Sequence, residues 1–335
     1  MLATAMPDSS PQAAVGIDLG GSSIKAALVS DRLEIVSRSA VPTDLRSQGV
    51  LLSAIERLVE SVSKDTTPSA VGFGLPSQID QRHGRVLDST NVPLEDLDFK
   101  AEMASRLGVP VEIDNDANVA CLAEWRIGAA RGARNVVMLT LGTGVGGGLV
   151  LDGRLYRGSI GSGAELGHMS VDENGPHCQG HCSSRGCLEV LASATGVMAA
   201  AQQIASDHPH GGLAAARAAG EDLDARYVID RARAGDEEAI EVFAIVGRHL
   251  GVGITNLVNI FNPQVVVIGG GVIAAGELLL APAREVMMER ALAPGKDVVR
   301  VEAARYGPEA GMLGAALLAR EVADGRPTGA IEGRP

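Results

Sequence analysis

Three of the chain's four cysteines, Cys178, Cys182 and Cys187, fall in one short run, PHCQGHCSSRGCLEV at 176–190, together with His177 and His181, while Cys121 stands alone. In a reducing compartment, thiols crowded this way serve as metal ligands more readily than as disulfide partners. A second group able to do chemistry is the run Asp114-Asn115-Asp116, just ahead of an apolar stretch. Asp and Asn cap helices at such positions, and a carboxylate there can equally act as a general base. Spacing alone leaves both readings open. Glycine turns supply the third group: Gly20-Gly21-Ser22, Gly142-Thr143-Gly144 and Gly269-Gly270-Gly271, each at what reads as a strand end. Any one of them could be a plain tight turn. Three together, two with a hydroxyl residue inside, point to backbone N–H groups gathered around nucleotide phosphates.

The run GTGVGG at 142–147 satisfies G-x-G-x-x-G formally. That pattern marks a dinucleotide site only where a helix follows, and GGLVLDGRLYRG has no 3.6-residue period. It reads as strand, so a Rossmann site is excluded, and no G-x-x-x-x-G-K-[ST] run is present.

The elements that must carry these groups alternate between strand and helix. VGIDLGGSSIKAALV (15–29) reads as two short strands joined at Gly20-Gly21, and VVMLTLGTGVGGGLV (136–150) repeats that design. A repeated hairpin of this kind predicts two related α/β halves. Between them the apolar spacing predicts a helix at 48–64, a strand at 70–75, a helix at 98–107, a strand at 109–113 and a helix opening at DNDAN. Residues 188–250 read as helical with a break at 208–212. A buried strand at 264–268, a helix at 276–290, a strand at 298–303 and a last helix at 308–322 follow. The class is α/β with mixed sheets.

Composition narrows the function. Of 335 residues 46% are hydrophobic yet only 2% aromatic, so the core must be built from Ala, Val, Leu and Ile. With 29 basic against 41 acidic residues and a net charge of −12, a general nucleic-acid binder is excluded, since phosphate-backbone affinity needs clustered Lys and Arg. No unbroken apolar run of membrane-spanning length occurs and the N-terminus lacks a signal-peptide pattern, so a cytoplasmic protein with no membrane partner is expected. The tail at 323–335 is expected to be disordered, and its IEGR tetrapeptide matches a common engineered protease site.

GIDLGGSSIKAAL, NDANVA, LGTGVGGGLV, GAELGH, the cysteine run ending in GCLE, and NPQVVVIGGGV occur in this order over about residues 14–320. Together they resemble the ROK family (repressor, open reading frame, kinase) of actin-like sugar kinases. The resemblance implies two actin-like (ribonuclease H-like) ATPase domains with the active site in the interdomain cleft. The small domain would span 14–115, with the helix at 308–322 packing on it. The large domain would span 116–307 and include a zinc-binding loop at 168–187. The family's repressors carry a helix-turn-helix segment before the first phosphate strand. The residues preceding Val15 include two prolines and no helical period, which favours the kinase branch.

The resemblance also implies roles. Asp116 would be the general base that takes a proton from the sugar hydroxyl. Asn115, Glu165, His168 and Glu189 would contact the sugar, and Ser77 and Asn91 would stand at the lips of the same pocket. Asp18 would orient Mg²⁺ through water, beside Gly20, Gly21 and Ser22. Lys25 would reach phosphate or form a surface pair. Gly142, Thr143 and Gly144 would form the second phosphate loop, and Gly269, Gly270 and Gly271 would face the adenosine. The spacing C-x₃-C-x₄-C with His168 upstream makes a closed Cys₃His set suited to structural Zn²⁺. The family's usual C-x-C-G-x-x-G-C-x-E departs here at Cys178 and Ser183, leaving His177 and His181 as competing ligands. The expected activity is that of an ATP-dependent hexose kinase acting on glucose. N-acetylmannosamine or another hexose, polyphosphate as donor, and a non-catalytic sugar-sensing regulator are the alternatives. A homodimer or homotetramer is expected.

Overall fold

The computed structural model describes residues 13–89 and 91–324. In chain order the first half contains β1 (Ala14–Leu19), β2 (Ser23–Val29), β3 (Ile35–Pro42), α1 (Gln48–Val62), β4 (Val71–Leu75), β5 (Gln78–Asp80), β6 (Arg85–Asp88), α2 (Phe99–Leu107), β7 (Val111–Asn115) and α3 (Asp116–Arg126). The second half contains β8 (Val136–Leu141), β9 (Val145–Leu151), β10 (Arg154–Leu155), α4 (Leu188–Ala192), α5 (Ala194–Asp207), α6 (Gly212–Ala218), α7 (Ala225–Arg233), α8 (Glu237–Phe261), β11 (Val265–Gly269), α9 (Glu277–Arg290), α10 (Gly295–Val298), β12 (Arg300–Ala303) and α11 (Ala310–Ala323). Two compact units result. The first takes the described residues up to Ala123 and resumes at Glu309, and the second runs Glu124–Pro308. The break read from sequence at 115/116 is the start of α3, whereas the units part within that helix.

The first unit is a five-stranded sheet in the order β3-β2-β1-β4-β7. β1 and β2 form the antiparallel hairpin expected around Gly20-Gly21, and β4 and β7 run parallel to β1. The parallel strands β1 and β4 are buried almost throughout, as strands covered on both faces must be, while β3 at the edge alternates half-buried and exposed residues. Helix α1 is capped by the Ser47 side chain, which accepts from the Val50 N–H. It buries Leu51, Leu52, Ile55, Leu58, Val59 and Val62 at helical spacing. Phe73 and Phe99 meet edge to face, with ring centroids 5.1 Å apart.

Helix α11 approaches β1 and β4 more closely than side chains normally permit. A Cβ on Gly16 would lie 1.8 Å from the Met312 carbonyl oxygen, and one on Gly72 would lie 1.8 Å from that of Ala315. On the helix itself, a Cβ on Gly314 would lie 1.7 Å from the Val119 oxygen of α3. Backbone here packs on backbone, as a core poor in aromatics requires.

The second unit repeats the first. Its sheet order is β10-β9-β8-β11-β12, again a hairpin-linked antiparallel trio followed by two parallel strands. Over it lies a helical layer centred on α8, capped by Asp236 at its start and by left-handed Asn262 at its end. By length and apolarity α8 alone among the described helices could cross a membrane. Its buried face, including Val242, Phe243, Val246, Leu250, Ile254 and Leu257, belongs to the core of this unit, so it is read as a core helix.

The strand at 109–113 lies at 111–115, which carries Asn115 to the strand's last position. Strand β3, the β5–β6 hairpin and β10 had no sequence counterpart. The tail at 323–335 lies outside the described residues from 325 onward, and Ala323 ends α11.

Replacing Gly72 with Ala is expected to push α11 off the sheet. The expected cost is about 1–3 kcal/mol, read as a lower midpoint in a denaturant melt, with Gly108→Ala as a contrast site that meets no neighbouring atom but carries positive φ.

Candidate functional site

In the first unit, strand ends and the start of α3 gather the polar groups. Asp18 on β1 pairs in register with Lys25 on β2, and Lys25 Nζ lies 3.4 Å from Asp18 Oδ2. Burial pushes the Asp18 carboxyl above its ordinary value, and the Lys25 charge and hydrogen bond oppose that rise. The first turn of α11 also presses on Asp18, because a Cβ on Gly311 would lie 2.7 Å from its Cγ.

The Gly20-Gly21-Ser22 turn is tied from outside. Thr43 donates its hydroxyl to the Gly20 oxygen at 2.6 Å and its N–H to the Ser22 oxygen at 3.1 Å. Asn91 packs on Gly21, where a Cβ would come 3.2 Å from the Asn91 Cβ. Ser77 is nearly buried and shares a short hydroxyl contact with Ser89.

The residues of Asp114-Asn115-Asp116 have different partners. Asn115 is the helix cap: its Oδ1 accepts from the Ala117 N–H at 2.9 Å and the Asn118 N–H at 3.4 Å. Asp114 is fully buried, and its Oδ1 accepts from Gln81 Nε2 (3.0 Å), the Asn115 N–H (2.8 Å) and Asn118 Nδ2 (2.9 Å). Asp116 opens α3 and takes the Ala117 N–H on Oδ1 at 2.8 Å. Gly74 on β4 makes room for this turn, since a Cβ there would strike Val119.

In the second unit the Gly142-Thr143-Gly144 loop is anchored through its carbonyls. The Gly142 oxygen accepts from the Ala194 N–H at 2.8 Å, and the Thr143 oxygen from Thr195 Oγ1 at 3.0 Å and Gln179 Nε2 at 3.4 Å. Neither the Thr143 nor the Gly144 N–H donates to a group among the described residues. The next N–H, of Val145, donates to Glu189 Oε2 at 3.0 Å. A Cβ on Gly144 would lie 2.2 Å from Glu189 Oε2, so a side chain there would displace that carboxylate from the Val145 N–H. Gly270 has φ 84°, and its α-carbon faces the Leu141 backbone at the root of this loop. The second and third glycine turns therefore meet.

The glycines after Val145 have a packing purpose. A Cβ on Gly147 would lie 2.2 Å from the Ala164 oxygen, and one on Gly167 would lie 2.1 Å from the Val145 oxygen. The GAELGH segment can thus lie directly on β9. This places Glu165 where burial raises its carboxyl above the ordinary range; His168 lowers it and Glu189 raises it further.

His168, Cys178, Cys182 and Cys187 offer ligand atoms that all lie within 4.8 Å of one another. Cys178 Sγ is 3.5 Å from His168 Nδ1, and Cys182 Sγ is 4.0 Å from Cys187 Sγ. Tetrahedral coordination with bonds of about 2.3 Å to sulfur and 2.0 Å to nitrogen needs edges of about 3.5–3.8 Å, so the set fits a four-coordinate ion. Cys178 completes it. His177 instead contacts Arg185 Nη2 at 2.5 Å, and neither it nor His181 joins the cluster. Without a cation, burial and hydrogen bonds to Cys187 and Cys182 push the Cys178 thiol up to about 12, a cost that a bound metal removes. Cys121 is buried core.

Gln81, Gln179, Thr195 and Thr43 had no signal in the sequence. Each acts through a contact with residues distant in the chain.

The model described as the ROK family matches residues 14–322, from the first strand into the last helix. The glucokinase of Thermotoga maritima is 37% identical over 311 residues, covering 92% of this chain and 97% of that protein. The chain belongs to the ROK family. A ROK family glucokinase from Streptomyces griseus, crystallised with glucose and AMPPNP, superposes with a TM-score of 0.82 at 33% identity, covering 92% of this chain and 99% of that one. The two units of like sheet order are the domains of the actin-like ATPase fold that ROK sugar kinases share. Regulators of the family are similar too: a putative xylose repressor from Caldicellulosiruptor is 32% identical over 306 residues, covering 90% of this chain and 76% of that protein.

Replacing Cys182 with Ala should lower bound metal from about one equivalent per chain toward none, since a four-ligand site loses one of its thiolates. Elemental analysis of purified protein checks this.

Proposed function

We propose that this chain is an ATP-dependent glucokinase that converts glucose and ATP to glucose 6-phosphate and ADP, with Asp116 as the general base. The observation that carries this reading is the division of labour at the start of α3. Asn115 caps the helix and Asp114 is buried under three donors, while Asp116 stands on the first helical residue with Oδ1 held by the Ala117 N–H, a fixed carboxylate suited to proton transfer. The sequence similarity to T. maritima glucokinase supports the choice of glucose.

In this reaction the sugar hydroxyl gives its proton to Asp116 as its oxygen forms a bond to the γ-phosphorus. The bond from that phosphorus to the bridging oxygen breaks, and ADP leaves. Asp18 orients Mg²⁺ carried in with ATP. The Thr143 and Gly144 N–H groups face phosphate, and Gly269–Gly271 faces the adenosine. Glu165 and Glu189 accept hydrogen bonds from sugar hydroxyls, His168, with Nδ1 turned to the cysteines, donates its other ring N–H to a sugar oxygen, and Asn115 contacts the sugar through its amide. Zn²⁺ suits the Cys₃His set; with all four positions taken by protein it supplies fixed geometry rather than chemistry. A cytoplasmic location accords with three unpaired thiols gathered as ligands.

Turnover of ATP to ADP with glucose and Mg²⁺ tests the reading, with N-acetylmannosamine and polyphosphate as parallel arms. Asp116→Asn should lower kcat about 10²–10⁴-fold while leaving glucose affinity near that of the unaltered protein. Folded, zinc-loaded protein that binds sugar but turns over none on any arm would overturn the kinase reading in favour of a sugar sensor.

The raised Glu165 carboxyl adds a pH dependence. A group with a raised value takes up its proton at a higher pH than usual, so acceptor strength is lost earlier on acidification. KM for glucose should therefore climb at a pH above the ordinary carboxylate range, and a Glu165→Gln variant should lack that rise.

A further inference from the structure

Gln179 lies between two of the clustered cysteines, yet its side chain leaves the cluster. Its Nε2 reaches the Thr143 oxygen at 3.4 Å, while its Oε1 stands 3.3 Å from Thr195 Oγ1. Thr195 Oγ1 in turn is 3.0 Å from the same Thr143 oxygen. Thr195 sits in the first turn of α5, where Ser193 Oγ caps the helix by accepting from the Thr195 and Gly196 N–H groups. One carbonyl is thus held by two side chains that also touch each other, one on helix α5 and one on the cysteine loop.

The consequence follows from peptide geometry. In a trans peptide the C=O and the following N–H point in opposite directions. Holding the Thr143 oxygen toward Gln179 and Thr195 turns the Gly144 N–H the other way. The Ala194 N–H does the same one peptide earlier, holding the Gly142 oxygen and so turning out the Thr143 N–H. These are the two N–H groups with no partner among the described residues. Successive N–H groups displayed together form an anion-binding concavity. Glycine at 144 would let that peptide rotate freely if its carbonyl were loose.

We propose that Gln179 and Thr195 are positioning residues for the nucleotide phosphates, and that Gln179 makes nucleotide affinity depend on metal occupancy of the Cys₃His set. The inference rests on the kinase reading above. Cys178 and Cys182 fix the backbone on either side of Gln179, so an ordered cysteine loop delivers its amide to the Thr143 oxygen. When that loop is loosened, the clamp loses one arm and the Gly144 N–H loses its fixed direction. Thermodynamic reciprocity requires that bound nucleotide then tighten the hold on metal by the same factor.

The test is calorimetric titration of ADP into wild-type and Gln179→Ala protein, each zinc-loaded and zinc-stripped, with zinc content and glucose affinity measured in parallel. Removal of zinc should weaken ADP binding to wild type about two- to tenfold, the scale of one neutral hydrogen bond. Zinc-loaded Gln179→Ala should show a similar loss with its zinc content and glucose affinity retained, and stripping its zinc should add less than about twofold. A Gln179→Ala protein that binds ADP like wild type, or an equal effect of stripping on both proteins, overturns the inference. Should the stripped chain unfold, zinc-loaded Thr195→Val and the double variant decide. Losses that fail to add support the shared clamp, and wild-type affinity in both overturns it. Zinc-loaded wild type that binds no ADP at all defeats the kinase reading as well, whereas wild-type binding with indifferent variants defeats this inference alone.

Discussion

Backbone-on-backbone contact at glycine is the constraint on which this structure rests. A chain with 2% aromatic residues and 42 glycines cannot fill space between its layers with large side chains, so it brings the layers together instead. Gly16, Gly72 and Gly314 seat α11 against β1, β4 and α3, and that helix brings Gly311 up to Asp18. Gly74 admits the turn that carries Asp116. Gly147 and Gly167 let the Glu165–His168 segment lie on β9, and Gly144 admits Glu189 to the Val145 N–H. Asp18, Asp116, the Glu165–His168 segment and Glu189 each lie against a glycine that has no Cβ to keep them away.

Repetition sets the wider frame. Two sheets of like order each turn at glycine between their first two strands, yet the turns are held differently. Thr43, the residue just after strand β3, secures the first. The second is secured by α5 and by the cysteine loop. The same backbone device has acquired separate supports, and only the second support includes residues able to hold a metal.

Much of this was legible in the chain. The paired hairpins, the helices at 48–62 and 310–323 and the buried strand at 265–269 follow from periodicity and glycine placement, because local sequence governs them. The Cys₃His set was legible as a candidate, but choosing Cys178 over His177 required the His177–Arg185 contact, which spacing does not encode. Strand β3 was missed because an edge strand half exposed along its length has no strong apolar alternation to read. Gln81, Gln179 and Thr195 were missed for a different reason. A single neutral side chain acquires meaning only from what the fold sets opposite it, and Asp114 and the Thr143 carbonyl are far from them in sequence. The glycines after Val145 were read as strand with no reason given for glycine there, and the fold supplies it: Gly147 lets GAELGH pack on β9.

The cap at the head of α3 carries one more implication. Asn115 spends its amide oxygen on two main-chain N–H groups, so the face it keeps for a ligand is its NH₂ alone. In the role proposed for it, the residue can give hydrogen bonds but not receive them. It acts as a polarity filter: a hydroxyl can turn a lone pair toward it, but a protonated amine at the same position has no lone pair to offer and would meet donor with donor. Discrimination between neutral and amino sugars would then begin with the way the chain starts a helix.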